Sequence, residues 1–194
     1  MGPIRREQIC RAAATVIARE GFAGTTMRQV ADEAGVSTGM LNHYFVNRED
    51  LLTKTLVFVS ELGVARAAAA LDGLPPGRER LAALLDSVIA DEDGVAELWR
   101  IWINSYGEAV RLPELRQQIG AELAGWFERL DYALEGLVPA AQPGEIPWSW
   151  RVDALLNGLM IRALTSEVAL DQAKIRDAVI DVLLGSSTDS PSAA

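Results

Sequence analysis

The sequence predicts an all-α protein with about nine helices. Apolar residues recur at intervals of three and four in the long segments, the spacing that places them on one face of a helix. No segment alternates apolar and polar residues over the length of a strand. Clusters of glycine and proline divide the chain into pieces of ordinary helix length, and they set the predicted boundaries.

The first predicted helix ends at Gly21, because a glycine followed by an apolar residue is a common helix stop. Its apolar face consists of Ile9, Ala13, Val16 and Ile17. Thr26 and Gln29 have the spacing of a capping box, in which each side chain accepts a hydrogen bond from the other residue's backbone N–H. The second helix therefore begins there, and Gly35 ends it by adopting a left-handed backbone.

Ser37 is predicted to cap a third helix that runs to about Tyr44. Asn47 starts a fourth, because the acidic residues after it suit the positive end of the helix dipole. This helix is predicted over residues 48–71, before the break at "DGLPPG", and five more follow at 78–91, 94–109, 113–137, 148–168 and 171–184. Residues 186–194 are small and polar, and we expect a disordered tail there.

Composition excludes several classes of protein. The chain contains no uncharged apolar run of about 18 residues, and its N-terminus has no apolar signal region, so we expect a soluble, cytoplasmic protein that does not enter a membrane. With one cysteine and one histidine, neither a disulfide framework nor a structural zinc site is expected. Since there is also no phosphate-binding glycine loop, we expect neither a cofactor nor an enzyme.

Charge is unevenly distributed along the chain. Residues 1–55 hold seven basic and six acidic residues, which leaves 11 basic and 21 acidic residues for the remainder. A near-neutral N-terminal segment can meet phosphate locally, while the acidic remainder suppresses indiscriminate binding to polyanions.

Residues 25–45, "TTMRQVADEAGVSTGMLNHYF", contain two short helices joined by a tight glycine turn. This pattern is typical of a helix-turn-helix, whose second helix enters the DNA major groove, and it also occurs as an αα-hairpin in helical bundles. A helix over 37–44 would be about 12 Å long, close to the width of the groove. Either Met40 or Leu41 would anchor its inner face on the second helix.

Residues 5–55 resemble the DNA-binding head of the tetracycline-repressor (TetR) family. The family pattern has Thr before the second helix, Ile-Ala or Val-Ala within it, Ala-Gly-Val-Ser at the turn, and then Gly, an aromatic-Phe pair, a basic residue and Leu. "TTMRQVADEAGVSTGMLNHYFVNREDLL" contains all of these at the same spacing. The resemblance implies a three-helix head over 1–47, joined to a larger helical ligand-binding and dimerisation domain over 48–185.

The resemblance also implies roles for individual residues. Thr26 and Tyr44 would contact phosphate, and Arg48 stands where the family usually has Lys. The other predicted DNA-binding residues, on the second and third helices, are Arg28, Ser37, Thr38, Gly39, Met40, Asn42 and His43. Phosphate contacts fix the register on DNA, whereas contacts to base edges read the sequence.

Asn42 departs from the commonest family pattern, which has Tyr. Asn followed by His-Tyr-Phe is similar to the choline/betaine-responsive repressor subgroup. Asparagine can bond N6 and N7 of adenine together, and His43 can reach base edges or phosphate. The alternative is that both residues simply lie on a solvent-exposed helix face and have no role in DNA binding.

A palindromic operator requires a dimer whose heads lie about 34–36 Å apart. The last two helices are predicted to form the dimer interface, through small residues that allow close approach and apolar residues that fill the contact. The candidates are Ala154, Leu155, Gly158, Leu159, Ile175, Val179 and Val182. The same residues could instead close the protomer's own core, and periodicity alone does not separate these alternatives.

An aromatic cluster in the C-terminal part predicts a ligand site. Three aromatic residues share one face of the helix over 94–109, and Trp126 lies on the next helix. The predicted ligand-binding residues are Phe58, Leu62, Trp99, Trp102, Tyr106, Trp126, Asn157 and Met160. Aromatic side chains near carboxylates favour a cation, although an apolar ligand fits as well, and the same spacing is typical of core packing.

The resemblance thus implies a transcriptional regulator, expected to be a repressor. It would bind a double-stranded DNA operator as a homodimer and be released by a small-molecule effector. The alternative is a helical protein-interaction module whose helix-turn-helix does not bind DNA.

Overall fold

The computed structural model describes residues 2–89, 95–167 and 171–185, without the side chains of residues 2–4. These ranges contain helices and no strand, which confirms the all-α prediction. The helices are α1 (Gly2–Gly24), α2 (Met27–Ala34), α3 (Thr38–Tyr44), α4 (Arg48–Leu71), α5 (Arg78–Ile89), α6 (Val95–Ala109), α7 (Pro113–Leu134), α8 (Trp148–Thr165) and α9 (Gln172–Gly185). None of them combines the length and the apolar composition that crossing a membrane requires. The predicted tail lies outside the described residues.

Contacts divide the chain into two compact units. Unit one comprises residues 1–63 and 93–123, and unit two comprises residues 64–92 and 124–194. The first turns of α4 therefore belong with the helices before them. The domain boundary predicted at residue 47 stays a prediction.

The turns of unit one follow the predicted capping chemistry. The Thr26 hydroxyl accepts a hydrogen bond from the Gln29 N–H at 3.3 Å, and the Gln29 side chain accepts one from the Thr26 N–H at 2.8 Å, so the capping box is present. Gly35 adopts a left-handed backbone with φ 64° and ends α2. Ser37 caps α3 by accepting the Met40 N–H at 3.2 Å. The Asn47 side chain likewise accepts from the first turn of α4.

The predicted stop in α1 is present as a kink. Gly21 has φ 73°, a left-handed value that side chains disfavour, and a short helical turn follows it before α2. Space is also restricted at this position, because a Cβ atom on Gly21 would lie 3.0 Å from the Asn104 side-chain oxygen of α6. Glycine is required here by both backbone and packing.

Two apolar clusters stabilise unit one, and α1 contributes to both. The first cluster, the head core, consists of Ile9, Cys10, Ala13, Val16, Val30, Ala31, Leu41, Phe45 and Leu51. The second consists of Ala14, Ile17, Phe22, Leu52, Leu56, Val59, Ile101, Ala109, Leu115 and Ile119. Because α4 also lies in both clusters, α2 and α3 are held by helices that continue into a second packed layer.

Unit two is built on α5 and α8, which both pack on α9. Buried residues on its helices include Leu84, Leu130, Leu156 and Ile180. The Arg80 guanidinium is buried among them, 3.9 Å from the centroid of the Tyr132 ring, and it donates to the Glu135 carboxylate at 3.2 Å.

Two helices end earlier than predicted. α7 stops at Leu134 rather than at residue 137, because Gly136 adopts a left-handed backbone with φ 76°. α8 stops at Thr165, since Ser166 is extended with φ −112° and ψ 158°. Neither difference moves a predicted site residue.

Candidate functional site

The inner face of α3 is anchored by Leu41. Its side chain is fully buried in the head core beside Val30, whereas Met40 is 39% exposed. This burial decides between the two candidate anchors and orients the rest of the helix. The other residues of the helix before Tyr44 are all exposed: Thr38, Gly39, Met40, Asn42 and His43.

The exposed face has the dimensions of a groove-binding element. α3 has seven residues, which corresponds to about 10 Å, and the DNA major groove is about 12 Å wide. Tyr44 closes the helix half-buried, with its ring edge-on to the His43 ring at 5.2 Å. The structure therefore brings the predicted base-reading residues together on one accessible surface.

Thr26, a predicted phosphate contact, and Arg28, a further predicted DNA-binding residue, differ in the hydrogen-bond donors that they present. Arg28 extends from α2 with its side chain 87% exposed and lies 3.9 Å from Asp32. The Thr26 hydroxyl donates to the Gln29 side chain at 2.7 Å, so its proton is already used within the capping box. Of these two residues, Arg28 is the one with donors available to a phosphate.

Arg48 is folded back onto its own protomer. Its guanidinium donates to the carbonyl oxygens of Phe22, Ala23 and Thr25, with the Nε to Thr25 distance at 2.6 Å. The sequence pattern implied a phosphate contact at this position. In this structure most of the donors face protein carbonyls.

A short ion pair joins the first two turns of α4. The Lys54 ammonium lies 2.7 Å from the Asp50 carboxylate, which also accepts the Val46 N–H at 3.0 Å. Although burial by itself would raise the pKa of Asp50, these two donors together hold it below its usual value. The loop between α3 and α4 is thus tied to a charged carboxylate.

Several predicted ligand residues of unit one serve its core. Phe58, Trp102 and Tyr106 pack against the second cluster, and the rings of Trp102 and Tyr106 are 5.9 Å apart. Leu62 and Trp99 are half-buried. These contacts match the core-packing alternative, and the ligand role of the five residues stays a prediction.

Two of the predicted ligand residues of unit two, Trp126 and Asn157, hydrogen-bond to Asp153, a residue that sequence reasoning missed. The Trp126 indole N–H donates to the Asp153 carboxylate at 2.8 Å, and the Asn157 amide donates to the Asp153 carbonyl at 2.8 Å. The Asn157 side-chain oxygen is buried and accepts no hydrogen bond from the described residues. Met160 lies one turn further along α8 and is buried. Asp153 could have been found from the sequence, because it precedes the predicted ligand residue Asn157 by four positions and so lies on the same face of the helix.

Burial raises the pKa of Asp153, and the hydrogen bond from Trp126 only partly opposes that rise. No ion pair joins Asp153 to a basic residue in the described ranges. A cation placed beside this carboxylate would therefore gain a partner whose charge is poorly compensated by the protein.

Unit one also contains a cleft of about 560 Å³. It lies between the end of α1, the first turns of α4 and the turn that joins α6 to α7. Arg48 lines it together with Glu49, Glu108 and Glu114, and none of the predicted ligand residues does.

The predicted dimer residues divide into two groups. Ile175 and Val179 are 3% and 0% exposed in the core of unit two, so their side chains are covered by the protomer itself and do not form an outer surface. For these two, the burial matches the core alternative, and a role at the dimer interface stays a prediction. The remaining candidates are accessible: Ala154, Gly158 and Val182 are exposed, and Leu155 and Leu159 are half-buried.

The accessible residues of α8 form a stripe that sequence reasoning recognised only in part. Trp150 and Ile161 are exposed and extend the line of Ala154 and Gly158 at helical spacing. The Trp150 ring stacks on Phe127 of α7 at 5.4 Å. We define these four residues, Trp150, Ala154, Gly158 and Ile161, as the α8 stripe.

Both the N-terminal and the C-terminal part of the chain match known protein families. Residues 9–55 match the family described as "Bacterial regulatory proteins, tetR family", and residues 76–185 match "BetI-type transcriptional repressor, C-terminal". The HTH-type transcriptional regulator BetI of Rhizobium meliloti (strain 1021) is 33% identical over 164 residues, covering 84% of this chain and 79% of the relative. BetI of Brucella canis is 28% identical over 194 residues, covering 100% of this chain and 96% of that protein.

Solved structures share the fold. A TetR-family regulator from Rhodococcus sp. is 28% identical with a TM-score of 0.76, over 93% of this chain and 98% of that one. A regulator from Saccharomonospora viridis in complex with choline is 23% identical with a TM-score of 0.79, over 92% of this chain and 94% of that one. The relatives are named as transcriptional regulators and not as enzymes. With its helix-turn-helix head and a BetI-type match over more than half its length, this chain belongs to the BetI-type transcriptional repressors of the tetR family.

Proposed function

We propose that this regulator represses transcription by inserting α3 into the major groove of a palindromic operator, as a homodimer, and that a small cation releases it. The observation that carries the DNA-binding part is the orientation of α3. Burial of Leu41 in the head core leaves Asn42 and His43 exposed on an accessible helix. Polar side chains so placed can bond base edges, which is how sequence is read in the major groove.

Asn42 and His43 are expected to carry sequence discrimination. We predict that Asn42→Ala and His43→Ala each reduce the preference for operator over random DNA by about 1–3 kcal/mol, the range of a good base contact. Fluorescence anisotropy measures this preference at several salt concentrations. The two duplexes are the DNA upstream of the protein's own gene and the same DNA with its sequence shuffled.

Gln117→Ala is the matched control, because Gln117 is an exposed amide on α7. An equal loss of affinity for both duplexes would contradict a base-reading role for Asn42. Absence of any salt-sensitive binding by the wild type would contradict DNA binding itself and favour an interaction module.

For the effector, the chemistry of unit two favours a cation. Asp153 is a half-buried residue whose carboxylate has uncharged hydrogen-bond partners, among them the Trp126 indole N–H, which donates to it at 2.8 Å. Carboxylates and aromatic faces both attract cations. The choline-bound regulator from Saccharomonospora viridis has the same fold, so choline is the first compound to test.

Asp153→Asn is predicted to separate effector response from operator binding. The amide can still accept from Trp126 but has no charge, so choline should release the variant from operator at least about tenfold less effectively, because the ion pair with the cation is lost. Operator affinity without choline should not change. Asp131→Asn, at an exposed position on α7, is the control, and a normal choline response in Asp153→Asn would remove Asp153 from the site.

The pH dependence of stability gives a second readout for this variant. Because burial raises the pKa of Asp153, the carboxylate's charge destabilises the folded state. The penalty is absent below the ordinary carboxyl pKa of about 3.9 and grows as the pH rises through the raised value. Asp153→Asn should therefore melt above the wild type at neutral pH, and the two melting temperatures should converge at about pH 3.

A further inference from the structure

Arg48 links the start of α4 to the junction of α1 and α2. It is the first residue of α4, and its guanidinium reaches back to the chain segment that joins α1 to α2. The Nε donates to the Thr25 carbonyl at 2.6 Å, and Nη2 donates to the carbonyls of Phe22 and Ala23, the latter at 3.3 Å. One side chain thus donates to three backbone carbonyls at the end of α1 and just after it.

The carbonyl groups of this segment need external donors. Helical hydrogen bonding in α1 is interrupted at Gly21, so the carbonyls that follow have no regular partners further along the helix. A cation also interacts favourably with the negative end of a helix. The planar guanidinium presents several N–H groups in a fixed arrangement, which a lysine ammonium does not reproduce.

The same segment determines where α2 starts. Thr25 is buried, and its hydroxyl donates to the Gly21 carbonyl at 2.7 Å. Thr26, the next residue, is the N-cap of α2. A donor fixed on the Thr25 carbonyl therefore constrains the direction in which α2 leaves, and α3 follows α2 after a two-turn helix and a tight turn.

We propose that Arg48 is a positioning residue: it ties the α1–α2 junction to the start of α4 and so sets the orientation of α3, in place of the phosphate contact implied by the sequence pattern. The inference rests on the proposed insertion of α3 into DNA. A positioning role differs from a phosphate-binding role in one respect: Arg48 already acts through its contacts with protein carbonyls when DNA is absent.

Arg48→Lys is the decisive variant, with Arg48→Ala beside it. Lysine keeps the charge that a phosphate contact needs, but it loses the fork that holds three carbonyls. Hydrogen bonds to a charged group are worth about 1.5–3 kcal/mol each, so we expect amide exchange over residues 22–34 to accelerate by about 10- to 100-fold in both variants without DNA. Operator affinity should fall by a similar factor in both.

The salt dependence of operator binding distinguishes the two roles. Loss of a phosphate contact lowers the slope of log K against log salt by about 0.9 per contact, or twice that for two heads. We expect this decrease for Arg28→Ala, whose side chain is exposed on α2, and an unchanged slope for both Arg48 variants. Arg100→Lys and Arg100→Ala, at an exposed position on α6, control for charge loss elsewhere.

Wild-type operator affinity in Arg48→Lys, a reduced slope in Arg48→Ala, or unaltered exchange in both would each overturn the proposal. If Arg48→Ala does not fold, Arg48→Lys alone tests the proposal, because its amide exchange rates and its operator affinity are sufficient to distinguish the two roles. If the wild type binds no operator, the proposed function fails. Amide exchange in the DNA-free protein still tests separately whether Arg48 holds the α1–α2 junction against the start of α4.

Discussion

Gly158→Glu is expected to convert the dimer into monomers and to weaken operator binding by about 10²–10⁴-fold, the gain that joining two binding modules provides. Gly158 lies within the α8 stripe, where a small residue would allow close approach of a second protomer. A charged side chain there would be buried without a partner at the interface, which is strongly unfavourable.

The substitution is designed to spare the protomer. A Cβ atom added at Gly158 would meet no described atom within 4 Å. Replacing glycine inside a helix should moreover stabilise it by up to about 1 kcal/mol. Loss of dimer should therefore appear without loss of helix content.

Light scattering after size-exclusion chromatography reports the assembly state, and anisotropy reports operator affinity. Gly120→Glu is the matched control, because Gly120 is likewise exposed and open in α7, outside the α8 stripe. A dimeric Gly158→Glu protein with normal operator affinity would exclude the α8 stripe as the interface.

Leu41→Ala is expected to destabilise the head by about 2–5 kcal/mol, the usual cost of truncating a fully buried leucine. Leu41 is the only buried residue of α3, and it joins this helix to the head core. Its loss should release α3 from the head and abolish operator binding at physiological temperature, although unit two remains folded.

Hydrogen exchange over residues 26–45 and urea denaturation followed by circular dichroism measure these effects. Leu112→Ala is the control, since Leu112 is 49% exposed and its truncation should cost little. Equal losses of stability in the two variants would contradict the anchoring role of Leu41.

Local chemistry explains what was predictable. The capping box at Thr26, the left-handed Gly35 and the Ser37 cap are all decided by residues within three or four positions of one another. Such interactions exist wherever those neighbours occur, so their sequence spacing is sufficient. The predicted ends of the other helices lie within a few residues of the observed ends for the same reason.

Long-range contacts explain what was not predictable. Arg48 meets carbonyls that lie 23 to 26 residues earlier in the chain, and Trp126 meets Asp153 across 27 residues. Ile175 and Val179 have the same helical spacing whether they face a second protomer or their own core. Only packing against neighbouring helices decides such cases.

The sequence by itself determined the helical class, the helix-turn-helix and the family, because periodicity and caps depend on near neighbours. The tertiary structure decided which side of α3 faces outward, which residues of α8 and α9 remain accessible, and what Arg48 and Asp153 contact. Those outcomes depend on burial and on donors brought together from distant positions, and no spacing within one helix encodes them.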